Sequence, residues 1–418
     1  MTATAELQRR TLRVLVVAQV LSGAGLAAGI TVGALLAQDM LGTTGLAGLP
    51  SALFTAGSAL SAVAVGRISQ SRGRRPGLAA GYAVGAVGSG GVVLAAVVAS
   101  PVLLFVTLFL YGAGSATNLQ ARYAGADLAD SSHRARAIST VLVATTLGGV
   151  VGPLLAAPTG DLAHHVGVPH LAGPFLLSGA AYGAAAIYLA LRLRPDPLLH
   201  AQEMAAEEAA ALAATTAATP GPVPLSAPVE VGHGVALGTA VMVLTQVVMV
   251  AIMTMTPVHM HDHGHGTAAA GAVIAVHVAA MYLPSPLTGR LVDRVGRTRM
   301  AVASGVTLLM AGLLAAAAPA ESVVVLAVAL ALLGLGWNFG LVSGTAIITD
   351  AVPLATRART QGLVDVSIAI AGVGGGLASG IVVDVASYSV LSLAGGLIAL
   401  AVVPAIAASA RLRPVGAA

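Results

Sequence analysis

GRLVDRVGRT at 289–298 recurs in looser form as GRISQSRGRR at 66–75. A second pair lies at the same separation: Asp127, Arg134, Ala135 and Arg136 match Asp350, Arg357, Ala358 and Arg359. Both alignments require an offset of 223 residues, and two independent motifs sharing one offset mean two homologous halves. Between them, residues 194–232 carry an Ala/Glu segment, AQEMAAEEAAALAA, and then a Pro-rich stretch, TPGPVPLSAPVE. This composition reads as a partly helical linker. The chain therefore divides into a bundle at 1–193, a linker at 194–232 and a second bundle at 233–418.

Working outward from the repeats, most of the remaining sequence is apolar. Hydrophobic residues make up 57% of the 418, charged ones 9%, and the mean hydropathy is +0.92. A hydrocarbon core takes about 20 residues to cross as helix. Twelve runs qualify, at roughly 12–38, 48–66, 77–98, 101–122, 137–158, 172–193, 233–258, 267–288, 300–319, 323–346, 359–383 and 387–410. The first is too long for a cleavable signal peptide and lacks a small-residue cleavage site. Fifty-one glycines and 3% aromatics fit helices that pack closely through small side chains.

All 20 basic residues are arginines, and they fall in alternate loops: Arg9 to Arg13, Arg67 to Arg75, Arg122 to Arg136, Arg192 and Arg194, Arg290 to Arg299, Arg357 and Arg359, and Arg411 and Arg413. The positive-inside rule places both termini and those loops in the cytoplasm. The net charge of +4 is thus topological, and nucleic acid is excluded as a partner. With no cysteine, disulfides and thiolate metal sites are excluded too. No nucleotide loop or nucleophile–base pair appears, so an enzyme is not expected.

At these residues the chain resembles the major facilitator superfamily, whose halves carry G-x-L-x-D-R-x-G-R-R/K between their second and third helices. Gly289, Asp293, Arg294, Gly296 and Arg297 match it; in the first half Gly66, Gly73, Arg74 and Arg75 match, while Gln70 stands at the acidic position and Ser71 at the next. The resemblance implies an all-α membrane protein of twelve helices in two six-helix bundles, rocking about a central site. It also implies a charge-relay latch in this loop, weaker where Gln70 replaces the acid. GGVVGP at 148–153 resembles the glycine–proline motif of antiporters, and GVGGGLASG at 372–380 lies near the corresponding position; close helix packing explains such stripes equally well.

Methionine and histidine recur in the seventh and eighth spans. Met249 and Met253 are four apart, as are His277 and Met281, so each pair shares a helix face. Methionine is a common filler of apolar helices, but a histidine at membrane depth is a functional-site hypothesis by default, and thioether with imidazole suits Cu(I). MxxxM followed by HxxxM in these two helices resembles the CcoA-like bacterial copper importers. That resemblance implies Met249, Met253, His277 and Met281 as ligands to copper in transit.

At about 1.5 Å per residue, Met253 would sit roughly 8 Å below the outer end, Met249 and His277 roughly 15 Å and Met281 roughly 21 Å, a descending ladder. The ligands are then expected to line a cavity rather than a packed core. His259, Met260, His261, Asp262, His263 and His265 would cap the ladder, with His164, His165 and His170 in another outer loop. Capture of metal and the loose binding common to any His-rich loop both remain open for this cap.

Asp365 is the one acidic residue well inside a span, a turn beyond Gln361 on the same face. It could carry a coupling proton, paired with Arg122, or make a structural hydrogen bond. Asn118, Gln120, Gln246 and Asn338 could line a path or bond across helices. The sequence therefore leads to a secondary transporter importing copper as Cu(I), with no cofactor, acting as a monomer in the cytoplasmic membrane of a bacterium. A downstream copper chaperone or oxidase assembly factor is implied by the resemblance. The alternative is a proton-coupled exporter of small organic compounds, for which the low aromatic content is a mild counter-indication.

Overall fold

The structure is a computed structural model that describes residues 3–41, 49–217, 231–319 and 321–411. Among these residues every regular element is helical. The first half contains α1 (Ala3–Leu41), α2 (Leu49–Arg72), α3 (Arg74–Val97), α4 (Pro101–Ala126), α5 (Arg134–Leu154), α6 (Ala156–His165) and α7 (Gly173–Arg192). A separate helix, α8 (Pro197–Ala217), occupies the linker. The second half contains α9 (Val231–Asp262), α10 (Thr267–Tyr282), α11 (Ser285–Val295), α12 (Arg297–Ala316), α13 (Val323–Ala351), α14 (Arg357–Val385), α15 (Tyr388–Ala399) and α16 (Val402–Arg411).

Ten helical stretches among the described residues are long and apolar enough to cross a membrane. The other two expected spans, at 12–38 and 137–158, correspond to α1 and to α5 with α6, and are not among the ten. Three runs read as single spans are broken. The run at 267–288 is interrupted at Leu283 and Pro284, because proline has no N–H to continue the ladder. The run at 137–158 breaks at Leu155, and the one at 387–410 at Leu400 and Ala401. The Pro-rich part of the linker, 218–230, lies outside the described residues, as do the side chains of GGVVGP at 148–153.

Local chemistry places the turns. Ser100 and Ser322 cap α4 and α13 by accepting from Leu103 N and Val325 N. The bend from α2 into α3 turns on Gly73 at φ 95°, and the equivalent bend into α12 on Gly296 at φ 106°. Both lie in the region where a side chain is strained, which is why the repeat keeps glycine there.

Each half packs by the same scheme. In the first, α4 lies against α2 and α3, and α1 against α5 and α7; in the second, α13 lies against α9, α10 and α12, and α9 against α14. The halves meet along α2 with α14 and along α5 with α11. At these seams backbones approach closely: a Cβ on Gly66 would stand 2.8 Å from Ala358 O, and one on Gly289 2.7 Å from Ala135 O. Gly66 and Gly289 open the two copies of the repeat, so the motif's first glycine is explained by contact between halves.

Candidate functional site at the junction of the halves

The repeat residues assemble into two related clusters on the arginine-bearing side. Gln70 Oε1 accepts from Ala358 N at 2.9 Å, and Gln70 Nε2 donates to Leu354 O at 3.1 Å. In the mirror position Asp293 accepts from Ala135 N at 3.1 Å and Arg136 N at 3.0 Å. Each residue thus satisfies amides at the start of a helix in the opposite half, which otherwise lack partners. The expected relay between Asp293 and its neighbouring arginines is corrected to this extent: the carboxylate caps α5. Its charge suits the positive end of that helix.

Behind the caps lie two ion clusters. Arg74 binds Asp127 at 2.7 Å with neither side chain exposed, and its Nη2 reaches Gln361 of α14 at 2.6 Å; Arg357 approaches Asp127 at 4.0 Å. The counterpart joins Arg297 and Arg134 to Asp350 at 3.0 and 2.5 Å, but there Asp350 is 32% exposed. The electrostatics are therefore unequal in the opposite sense to the motif: the half whose motif lacks the acid has the buried cluster. Arg294, the basic residue after Asp293, has no ion-pair partner among the described residues.

Two turns farther along α14, Asp365 forms a buried cross-half contact. Arg122 Nη2 on α4 donates to its Oδ1 at 2.8 Å, with both residues buried. Tyr123 OH donates to the same oxygen at 3.1 Å and accepts from Arg122 Nη2 at 2.8 Å. Arg122 Nε reaches Thr345 on α13 at 3.1 Å. Asp365 Oδ2 is buried and has no hydrogen-bond partner among the described residues. The pairing considered from sequence for Asp365 and Arg122 is realised, while Tyr123 and Thr345 were missed. Tyr123 adjoins Arg122 in sequence, and a tyrosine beside an intramembrane arginine was the available signal.

One turn from Arg122, Asn118 joins a polar network. Gln19 Nε2 donates to Asn118 O and to Thr145, each at 3.0 Å; Tyr82 OH donates to Gln19 Oε1 at 2.6 Å; Asn118 Nδ2 donates to Ser22 at 3.0 Å. In the second half Trp337 Nε1 donates to Gln246 Oε1 at 2.8 Å. Gln120 donates to Ala62 O. Gln19, Ser22, Tyr82 and Thr145 went unnoticed in the sequence because each alone is an unremarkable residue in an apolar run; Trp337, the chain's one tryptophan, was a signal not taken up.

The methionine–histidine ladder is arranged differently from expectation. Met249 and Met281 are buried in the second half's apolar core and Met253 packs at its edge. His277 is fully buried and turns toward α13, with Nδ1 2.8 Å from Leu330 O. A carbonyl only accepts, so Nδ1 carries a proton; Nε2 is buried without a hydrogen-bond partner among the described residues. Asn338 Nδ2 donates to Met281 O and to Ser285 at 2.7 Å, supporting the break between α10 and α11. Met249, His277 and Met281 are thus buried, and Met253 is partly buried.

Of the outer histidines, His259 and His263 lie together. His259 stacks on Tyr388 at 4.4 Å and lies 4.4 Å from His263, whose Nδ1 donates to His259 O. His261 and His263 are exposed and His265 partly so. His165 and His170 contact Asp161. Among the described residues no three His, Asp or Glu side chains are placed to hold one metal ion.

Comparison with known proteins completes the picture. The chain is 56% identical over 402 residues, 96% of itself and 92% of the relative, to the uncharacterized MFS-type transporter YdeG of Bacillus subtilis. It is 30% identical over 363 residues, 85% of each chain, to the riboflavin transporter RfnT of Brucella anthropi. Its fold overlays that of the human organic anion transporter MFSD10 with a TM-score of 0.74 at 15% identity, covering 96% of this chain and 99% of that one. The family model of the Major Facilitator Superfamily matches residues 15–339 and 235–417. A multi-pass membrane protein of two repeated helical halves, joined through their duplicated motifs, this chain belongs to the Major Facilitator Superfamily.

Proposed function

We propose that the chain is a proton-coupled secondary transporter of a small organic solute. It crosses the cytoplasmic membrane of a bacterium twelve times with both termini inside, and its bundles at 1–193 and 233–418, joined by the 194–232 linker, rock about a central site. The observation that carries this reading is the buried Arg122–Asp365 pair spanning the two halves. A charge at membrane depth is costly and is kept for function. Neutralising Asp365 with a proton removes the ionic part of the contact that holds the halves together and so weakens it, which ties proton occupancy to the motion.

For the solute, support comes from RfnT, a riboflavin transporter similar over most of this chain, and from the hydrogen-bonding groups one turn above the pair. The test is uptake into proteoliposomes with an imposed pH gradient, using riboflavin as first probe within a panel of small organic solutes. Solute-driven proton movement, lost in Asp365→Asn, is the expected result. Transport indifferent to the gradient and unchanged in Asp365→Asn overturns the proposal.

Copper import is the second reading, kept by one observation: the unpartnered, buried Nε2 of His277 in a core that also holds Met249 and Met281. In that reading a copper chaperone or oxidase assembly factor receives the metal. Copper retained by the purified protein and lost in His277→Ala would favour it over the organic solute.

A further inference from the structure

We infer that Tyr123 is a positioning residue: together with Arg122 it holds Oδ1 of Asp365, leaving Oδ2 as the atom that takes up and releases the coupled proton. This rests on the proton-coupled reading above. Three hydrogen bonds close a ring among Arg122, Tyr123 and one carboxylate oxygen, at 2.8, 2.8 and 3.1 Å. The guanidinium carbon also lies 4.1 Å from the centre of the Tyr123 ring. The phenol is fixed from both sides, accepting from the cation and donating to the anion, so its hydrogen has one direction available.

The other oxygen is treated oppositely. Oδ2 is buried and has no hydrogen-bond partner among the described residues. A carboxylate oxygen left so is expensive, and a proton placed there relieves the cost without disturbing the ring on Oδ1. The step balances simply: a proton adds to the carboxylate to give the neutral acid, and its departure restores the anion.

The charged and titratable groups facing this centre come from three further helices besides α14. Arg122 and Tyr123 lie on α4; Arg74 of α3 adds positive charge, already shared with Asp127; Tyr282 of α10 lies toward Arg122. Of these, Arg122 and Tyr123 hydrogen-bond to Asp365. Within the internal repeat, the positions equivalent to Arg122, Tyr123 and Asp365 are Thr345, Ala346 and Leu142. The trio is therefore absent from the mirror site and is no requirement of the fold.

The test compares Tyr123→Phe with the unaltered protein in two measurements. In the first, riboflavin uptake into proteoliposomes is followed against pH. Losing a donor to the charged form favours protonation, so the midpoint of the profile moves up by about one to two pH units while uptake at the new optimum is kept. A merely structural tyrosine would lower uptake at every pH and leave the midpoint in place. The second is an infrared pH titration, which needs no solute. The unaltered protein should give a carboxylic-acid C=O band, absent in Asp365→Asn, at the lowered frequency of a carbonyl accepting two hydrogen bonds; in Tyr123→Phe it should rise.

A midpoint and band unmoved in Tyr123→Phe, or a midpoint moved downward, overturn the inference. Should Tyr123→Phe not fold, the unaltered protein decides: a band at the free-carbonyl position overturns the assignment and a lowered one sustains it. Proton-coupled uptake surviving in Asp365→Asn would instead remove the reading beneath, whatever Tyr123 does.

Discussion

Gln70 and Asp293 occupy equivalent places in the two halves, and each accepts a hydrogen bond from the first turn of a helix in the other half, Gln70 from Ala358 N and Asp293 from Ala135 N. The two differ in what they add. Asp293 brings a charge and a second amide, Arg136 N; Gln70 brings a donor, which reaches Leu354 O. Gln202 of α8 donates to that same carbonyl at 3.0 Å, and Asp196 fastens the start of α8 by accepting from Arg75 N at 2.7 Å. The linker helix therefore reinforces the seam where the motif lacks its acid.

From this arrangement the two latches are expected to be closer in strength than their sequences suggest. Asp293→Asn keeps an acceptor but loses the charge at the helix end, about 0.3–1 kcal/mol. Gln70→Ala loses two neutral hydrogen bonds, about 1–2 kcal/mol in total. Both should shift the population toward an open arginine-bearing side, by roughly two- to five-fold for Asp293→Asn and roughly five- to thirty-fold for Gln70→Ala. Single cysteines introduced on that side of this cysteine-free chain would report it; a Gln70→Ala population matching the unaltered protein would refute the donor–acceptor role.

A larger effect is expected from volume at the same seams. Gly66→Val and Gly289→Val each place atoms within about 3 Å of the opposing backbone, and backbone cannot give way as a flexible side chain can. The halves should separate on the arginine-bearing side while each half stays folded. Increased cysteine labelling there, with unchanged expression and reduced transport, is the expected pattern; unfolding in place of opening would mean that the glycines serve packing within a half.

How much of this was legible beforehand follows from which signals are local. The shared offset, the arginine-bearing loops and the apolar runs are properties of contiguous sequence, and they gave the helical halves and the glycines of the repeat. Asp365 stood out for the same reason, as an acid alone in an apolar run. What Asp293 touches was not legible, because an acid at a helix end and an acid beside arginines read alike until the opposite half is placed. Histidine orientation was hidden likewise: spacing puts His277 and Met281 on one face, but that face turns to α13 because Gly334 lets the backbones meet. A Cβ there would lie 2.5 Å from His277 O.

The Arg122–Asp365 pair should behave as a buried pair does. Removing one partner leaves a buried charge uncompensated, costing about 3–5 kcal/mol, whereas replacing both with apolar residues of similar volume is often neutral. Arg122→Met and Asp365→Leu singly should each lower the melting temperature in detergent by several degrees, and the double variant should regain most of it. Proton coupling should be absent in all three. A double variant as unstable as the sum of the singles would show that the two residues do not act on one another.

Met249 and His277 separate a packed core from a metal path. Met249 is 4% exposed within the apolar cluster, so Met249→Ala should cost about 2–5 kcal/mol through the cavity it leaves. His277→Ala also loses the bond to Leu330 O, and a comparable loss of stability is expected. By contrast, replacing exposed His261 and His263 should stay within about 0.5 kcal/mol. Melting curves and copper analysis on the same preparations distinguish the two roles. Lower melting temperatures in Met249→Ala and His277→Ala, with copper content equal to that of the unaltered protein, fit helix packing. Unchanged melting with copper lost from both would assign these side chains to a metal path, and the organic-solute reading would then yield to copper.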